Sequence, residues 1–210
     1  MKTAKPAELV EEWILEGIRT GSLKPGDHIP HLSLARKLNV SNNPVIQILR
    51  RLEGQGILDR GADGICRVRV YSMQELYGAL AVRGAIESAA ARFCAEMATD
   101  EEMAVIGVRY DKMVEAYHGG DYAPEQELAF HSAIVEFCHA PFLLHIYDTI
   151  MLIRQTFTLR AGHRSAEELI ERHAALMNAI RHRDADEAER IAAKHVAEAQ
   201  TDYLSHAALL

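Results

Sequence analysis

The chain has 210 residues, of which 49% are hydrophobic and 25% charged, with a formal net charge of −7. Those proportions are ordinary for a soluble globular protein, and no apolar run approaches the length of a membrane span. Glu11, Glu12 and Glu16 interrupt the only early apolar segment, so no signal peptide is expected; Cys66, Cys94 and Cys138 form no C-x-x-C pair and read as free packing thiols of a cytoplasmic protein.

Charge is divided along the chain. Residues 1–70 hold 11 Lys/Arg against 8 Asp/Glu, whereas residues 71–210 hold 12 against 22. An acidic surface repels polyanions, so any nucleic-acid contact is expected within the first 70 residues.

Residues 5–20, KPAELVEEWILEGIRT, fit an amphipathic helix with Leu9, Trp13, Ile14 and Ile18 inward and Gly21 as its stop. LKPGDHIP is a turn segment punctuated by Pro-Gly and Pro30. A second helix is expected over about 32–38, ending at Asn39, a residue that tolerates the left-handed conformation. The stretch VSNNPVIQILRRLE then reads as a third helix. Ser41 can serve as its N-cap, and Pro44 falls in the first turn. Val45, Ile48, Leu49 and Leu52 form a buried stripe; Asn43, Gln47, Arg50 and Arg51 face outward, with Ile46 on the flank. ILDRGADGICRVRV follows as a two-stranded hairpin with its turn at Gly61–Gly64.

From Ser72 onward the pattern is helical. Ser72/Glu75, Thr99/Glu102 and Ser165/Glu168 are capping boxes, Asp184/Glu187 is a variant, and Pro124 and Pro141 suit first helical positions. Helices are expected near 73–97, 100–118, 124–138, 141–161, 166–183 and 185–206. The predicted fold is mainly α: an N-terminal winged helix-turn-helix over residues 1–70 and a C-terminal antiparallel six-helix bundle over 71–210. In a winged helix-turn-helix the third helix enters the major groove of double-stranded DNA and the wing touches the backbone; a protein-binding module is the alternative use.

The helical half holds nine of the eleven histidines, and three point inward. Glu127 and His131 lie four apart on one face, His173 lies among Leu169, Ile170, Leu176, Met177 and Ile180, and His195 lies on the side of Ile191 and Ala199. Hydrogen-bonded core histidines are one reading. The other is a metal site, because three imidazoles and a carboxylate suit Zn, Ni, Mn or Fe. Arg83 and Arg154 also lie on apolar faces, and a long inward cation needs an anion. Glu87, one turn from Arg83, could supply an internal salt bridge; a bound carboxylate effector is the functional alternative. No H-E-x-x-H, G-x-G-x-x-G or Walker loop is present, so an enzyme, such as a bundle metalloenzyme, is not expected.

The segment from Ile18 to Gly56 resembles the DNA-binding domain of the GntR family of bacterial transcription regulators. The entry I-x-x-G-x-L-x-P-G is matched from Ile18 to Gly26, the turn L-A-x-x-L-x-V-S from Leu34 to Ser41, and P-V-x-x-x-L-R-R-L-E-x-x-G from Pro44 to Gly56. The resemblance implies DNA contacts by Ser41, Asn42, Asn43, Gln47, Arg50, Arg51, Arg60 and Arg67. Asn42 and Ile46 stand where the family usually has arginine, and Gln47 where it has an acid. That loss removes guanine recognition and leaves amides suited to adenine edges, with Ile46 suited to a thymine methyl. Residues 72–205 resemble the FadR-like C-terminal domain, FCD, through VRGAIE, ELAFH, ERHAALMNAIRHRDADEAE and KHV. This resemblance implies a divalent transition metal on Glu127, His131, His173 and His195, a small organic-acid effector, and a homodimer. Glu127 replaces the usual aspartate, and Ala140 stands where Asn is common.

Overall fold

The computed structural model describes residues 5–119, 124–155 and 165–207. The first compact unit holds α1 (Pro6–Arg19), α2 (His31–Leu38), α3 (Asn42–Gly54), β1 (Leu58–Arg60) and β2 (Cys66–Val68). Helix α1 has Pro6 at its first position, and Glu8 Oε2 accepts the Lys5 backbone N–H at 2.8 Å. Gly21, at φ 72°, ends it. Its inward face is Val10, Ile14, Gly17 and Ile18, whereas Leu9 is 37% exposed and Trp13 only partly buried. Ile14 and Ile18 are thus inward as expected, while Val10 and Gly17 stand in place of Leu9 and Trp13. The reason is Gly17: Leu23 lies so close that a Cβ there would meet Leu23 Cδ1 at 2.7 Å, which places the glycine face inside. Trp13 sits at the margin, with the Lys37 ammonium 4.7 Å above its ring.

Helices α1 and α2 both pack on α3, whose predicted stripe Val45, Ile48, Leu49 and Leu52 is wholly buried. Each such side chain contributes roughly 1.5–3 kcal/mol by leaving water. Asn39 closes α2 in the left-handed conformation, φ 52° and ψ 46°, as its side chain allows. The hairpin pairs Leu58 with Val68, Asp59 with Arg67 and Arg60 with Cys66. The segment read only as a turn adds a third edge. His28 bridges Arg67, the Ile29 N–H donates to the Cys66 carbonyl at 2.8 Å, and the Val68 N–H donates to that of Asp27 at 2.9 Å. A single bridged residue shows no alternation, which hid this pairing in the sequence.

The first unit continues past residue 70 to Leu76 and takes in the described residues 149–155. Tyr71 donates to the Gly56 carbonyl, and Glu75 joins Arg69 to the Ser72 cap. These bonds tie residues 69–75 to the wing side of the composition shift.

The second unit carries most of α4 (Met73–Met97), with α5 (Asp100–His118), α6 (Pro124–Glu136), the start of α7 (Pro141–Gln155), α8 (Ala166–Arg181) and α9 (Ala185–Ala207). The Ser72, Thr99 and Ser165 boxes form as expected. The fourth is half formed: the Glu187 N–H donates to Asp184 Oδ1 at 3.1 Å, but the Glu187 carboxylate binds Arg190. Helix α6 stops at Glu136, and His139, at φ 53°, turns the chain. The expected continuation of α7 to residue 161 lies, from 156 on, outside the described residues.

Helix α5 packs on α6 and α8, and α8 on α9. Gly84 of α4 admits Val196 of α9, where a Cβ would sit 3.2 Å from Val196 Cγ1. Arg92 then bonds Asp186 and Glu189, both at 2.7 Å. These contacts bring α4, α6, α8 and α9 to a shared core.

Candidate nucleic-acid interface and metal centre

Ser41, Asn42, Asn43, Ile46, Gln47 and Arg50 lie exposed along one side of α3, in front of its buried stripe. Ser41 takes the N-cap backbone conformation, φ −69° and ψ 165°, yet its side chain makes no cap bond. Pro44 occupies the third helical position and has no N–H to offer. Pro44 thus removes one of the two donors that an N-cap serine ordinarily bonds. Between α3 and the wing runs a groove of about 450 Å³, lined by His28, His31, Ile46, Arg50 and Arg60 among others. The two histidines escaped the sequence reading because their segment was legible only by its Pro-Gly punctuation.

The predicted arginines divide. Arg51 pairs with Glu11, Arg60 with Glu53, Arg67 with Asp63 at 2.7 Å and Arg69 with Glu75 at 2.7 Å. The Arg67 bond, with the Ile65 N–H, holds the Asp63 carboxyl down at about 2. Among the described residues no ion pair is recorded for Arg50, which stands exposed beside Gln47 and Ile46. The four pairs are solvated and salt-screened, so they are weak competitors for a nearby phosphate.

In the second unit Glu127 and His131 of α6, His173 of α8 and His195 of α9 converge. One ligand atom from each lies within 4.8 Å of all the others. The three histidines are buried. His173 Nδ1 is 2.6 Å from the Leu169 carbonyl, which can only accept, so Nδ1 carries the proton and Nε2 is bare. That Nε2 lies 3.2 Å from His131 Nε2 and 3.9 Å from Glu127 Oε1. Burial lowers the basicity of His173; burial, then the neighbouring His131 and His173, lowers that of His195 well below the usual histidine value. Neutral rings suit ligation.

The donor set fits a metal. Two nitrogens on one cation at about 2.0–2.1 Å are separated by about 2.9 Å at a right angle and about 3.4 Å at the tetrahedral angle; the observed 3.2 Å lies between. His195 Nδ1 is buried with no hydrogen-bond partner. The Tyr117 hydroxyl donates to Glu127 Oε2 at 2.7 Å and leaves Oε1 on the histidine side. Tyr117, on α5, was invisible to spacing arguments because it reaches the cluster from a separate helix.

Residues 6–64 match the family described as bacterial regulatory proteins, gntR family, and residues 79–198 match the FCD domain. The second match alone spans more than half of the chain. The chain belongs to the FCD-bearing GntR regulators. It is 26% identical to the uncharacterized HTH-type transcriptional regulator YdhC of Bacillus subtilis (strain 168), over 85% of this chain and 82% of that protein. It is 25% identical to the HTH-type transcriptional repressor NanR of Escherichia coli (strain K12), over 91% and 82%. Its fold is shared with E. coli McbR/YncC, at TM-score 0.74, 22% identity and coverage of 93% and 95%. It is also shared with a GntR transcriptional regulator from Rhodococcus sp. RHA1, at TM-score 0.76, 16% identity and coverage of 95% and 97%. Both families are families of transcription regulators, which removes the metalloenzyme and adaptor readings.

In this GntR/FCD regulator the two arginines expected to meet an effector have different standings. Arg83 Nε donates to Glu87 Oε1 at 2.7 Å, with both side chains buried, so the internal salt bridge forms. The Arg154 side chain lies outside the described residues. A groove of about 550 Å³ runs along α8 and α9 and reaches His195. Its cations Arg172, Arg190 and Lys194 each pair with a glutamate, Glu198 or Glu187, and Glu168 and Glu171 also line it, so no excess of positive charge is presented there. No described helix is long and apolar enough to cross a membrane. The three cysteines are buried, and burial pushes the Cys66 and Cys94 thiols up to about 12, consistent with packing.

Proposed function

We propose that this regulator binds a palindromic operator as a cytoplasmic homodimer, and that a divalent metal and a small carboxylate effector in the helical domain control that binding. The carrying observation is the convergence of Glu127, His131, His173 and His195, from three helices, within 4.8 Å. A Zn, Ni, Mn or Fe cation held there supplies a Lewis-acidic anchor for an anionic ligand. With neutral histidines, a dication and one carboxylate sum to a single positive charge, which favours a carboxylate over a neutral effector. The chain's own part is to hold the ligands. Leu169 fixes the His173 tautomer, Tyr117 orients Glu127, and burial keeps the rings neutral. The glutamate's extra methylene is accommodated by the Tyr117 bond. Arg83 and Arg154 were the expected effector clamps; Arg83 is paired with Glu87, and the Arg154 side chain lies outside the described residues.

On the DNA side, Asn42, Asn43 and Gln47 meet base edges, Ile46 a thymine methyl, and Ser41 and Arg50 phosphates. Arg51, Arg60 and Arg67 add phosphate contacts by exchanging their glutamate and aspartate partners. Two copies match half-sites one helical turn apart. Ligand binding in the bundle changes the disposition of the two reading heads, and so operator affinity.

Metal analysis of the purified protein tests the site. Wild type is expected to bind about one equivalent per chain with an affinity typical of N/O sites, and His173→Ala to lose it. Wild type without metal, or equal metal in the variant, overturns the reading.

A further inference from the structure

Glu87 belongs to α4, outside the four-residue cluster, yet its side chain points at it. It is 4% exposed, and its two oxygens are used differently. Oε1 accepts from Arg83 Nε at 2.7 Å. Oε2 is buried without a hydrogen-bond partner and lies 3.7 Å from His131 Nδ1. A buried carboxylate oxygen left unbonded is costly and calls for a donor. The ring of His131 presents its other nitrogen, Nε2, to His173. One face of the imidazole edge thus meets the cluster and the opposite one meets a carboxylate.

There is room to close the gap. Glu87, His131 and His195 line a cavity of about 10 Å³ together with Ala91, Leu176 and Ala192. Moving Oε2 by roughly 0.7–0.9 Å toward Nδ1 gives an ordinary N–H···O bond. Arg83 holds the first oxygen in place and cancels the carboxylate charge. The pair is thereby suited to act as an acceptor for the ring and not as a further ligand.

We infer that Glu87 is a positioning residue of the cluster: its Oε2 accepts the His131 Nδ1 proton, fixing the tautomer whose bare Nε2 faces the metal. A ligating imidazole commonly donates its second N–H to a carboxylate in this way, which sets ring orientation and raises ligand basicity. Arg83 acts one step further out, as the support of Glu87. The inference rests on the metal reading proposed above.

The test is Zn(II) affinity by chelator competition for wild type, Glu87→Gln and the double variant Arg83→Gln/Glu87→Gln. It is paired with nitrogen–proton NMR of the Zn(II)-loaded histidines, which reads the hydrogen bond of the His131 Nδ1–H directly. Circular dichroism confirms that each variant is folded. The expected result is a loss of about 10–100-fold in Zn(II) affinity in both variants, with the His131 Nδ1–H proton moving upfield as its charged acceptor is lost. Unchanged affinity and an unchanged Nδ1–H resonance in a folded Glu87→Gln overturn the inference while leaving the metal reading intact. Recovery of wild-type affinity in the double variant also overturns it, because the single variant's loss then came from a stranded Arg83. Wild type that binds no Zn(II) overturns both.

Discussion

At the scale of residues, Pro44 removes one of the two N–H donors that an N-cap serine ordinarily bonds, and the Ser41 side chain makes no cap bond. Beyond it the amides of Asn43 and Gln47 stand exposed next to Asn42 and Ile46, which replace the family's arginines. Amide side chains pair in bidentate fashion with adenine, and each good pair discriminates by about 1–3 kcal/mol. Selection of preferred sites from random DNA should therefore give an operator richer in A·T for wild type. Asn43→Ala and Gln47→Ala should each relax the preference at one position per half-site. The same base preference in both variants contradicts the assignment. These residue identities were legible in the sequence, since the α3 stripe fixes which side faces out. The arginine pairing was not: Glu11 meets Arg51, and Glu53 meets Arg60, only after the chain has folded.

At the scale of elements, caps determined how much could be read. Thr99/Glu102 and Ser165/Glu168 mark helix starts with local chemistry, so α5 and α8 begin where expected. Helix α1 has no comparable guide to its facing, and the Leu9–Trp13 stripe lost to the Val10–Gly17 side because Leu23 packs on a glycine. The start of α4 carries a pH signature. Glu75 accepts the Ser72 backbone N–H and hydroxyl, both at 2.8 Å, and binds Arg69. These bonds, the backbone one first, hold its carboxyl at about 2, against an ordinary value of 4.5. A carboxyl depressed in the folded state adds stability above its unfolded value and loses it as pH falls toward the folded one. Wild type should thus melt above Glu75→Gln at pH 7, and the gap should narrow between pH of about 4.5 and about 2. A gap that stays constant across that interval contradicts the Glu75 cap as the cause.

At the scale of the molecule, the chain joins a reading head to a helical ligand domain, as the change from a net basic to a net acidic segment suggested. Membership of the cluster was visible only in part. The i,i+4 pair Glu127/His131 is local, but His173 and His195 come from helices whose register depends on packing, as at Gly84 against Val196. Tyr117 and Glu87 support the cluster from α5 and α4, and no spacing rule connects them to it. A site built this way couples five helices of the domain, so its occupation can favour one arrangement of the bundle over another. Coupling of that kind typically changes affinity by about 5–150-fold. The most direct measurement is the affinity of a selected operator duplex, by fluorescence anisotropy at fixed salt, for metal-stripped and Zn(II)-loaded protein, in wild type and His173→Ala. The account predicts that Zn(II) shifts operator affinity by at least about 5-fold in wild type and leaves the variant unchanged. Equal operator affinity of stripped and loaded wild type would contradict it.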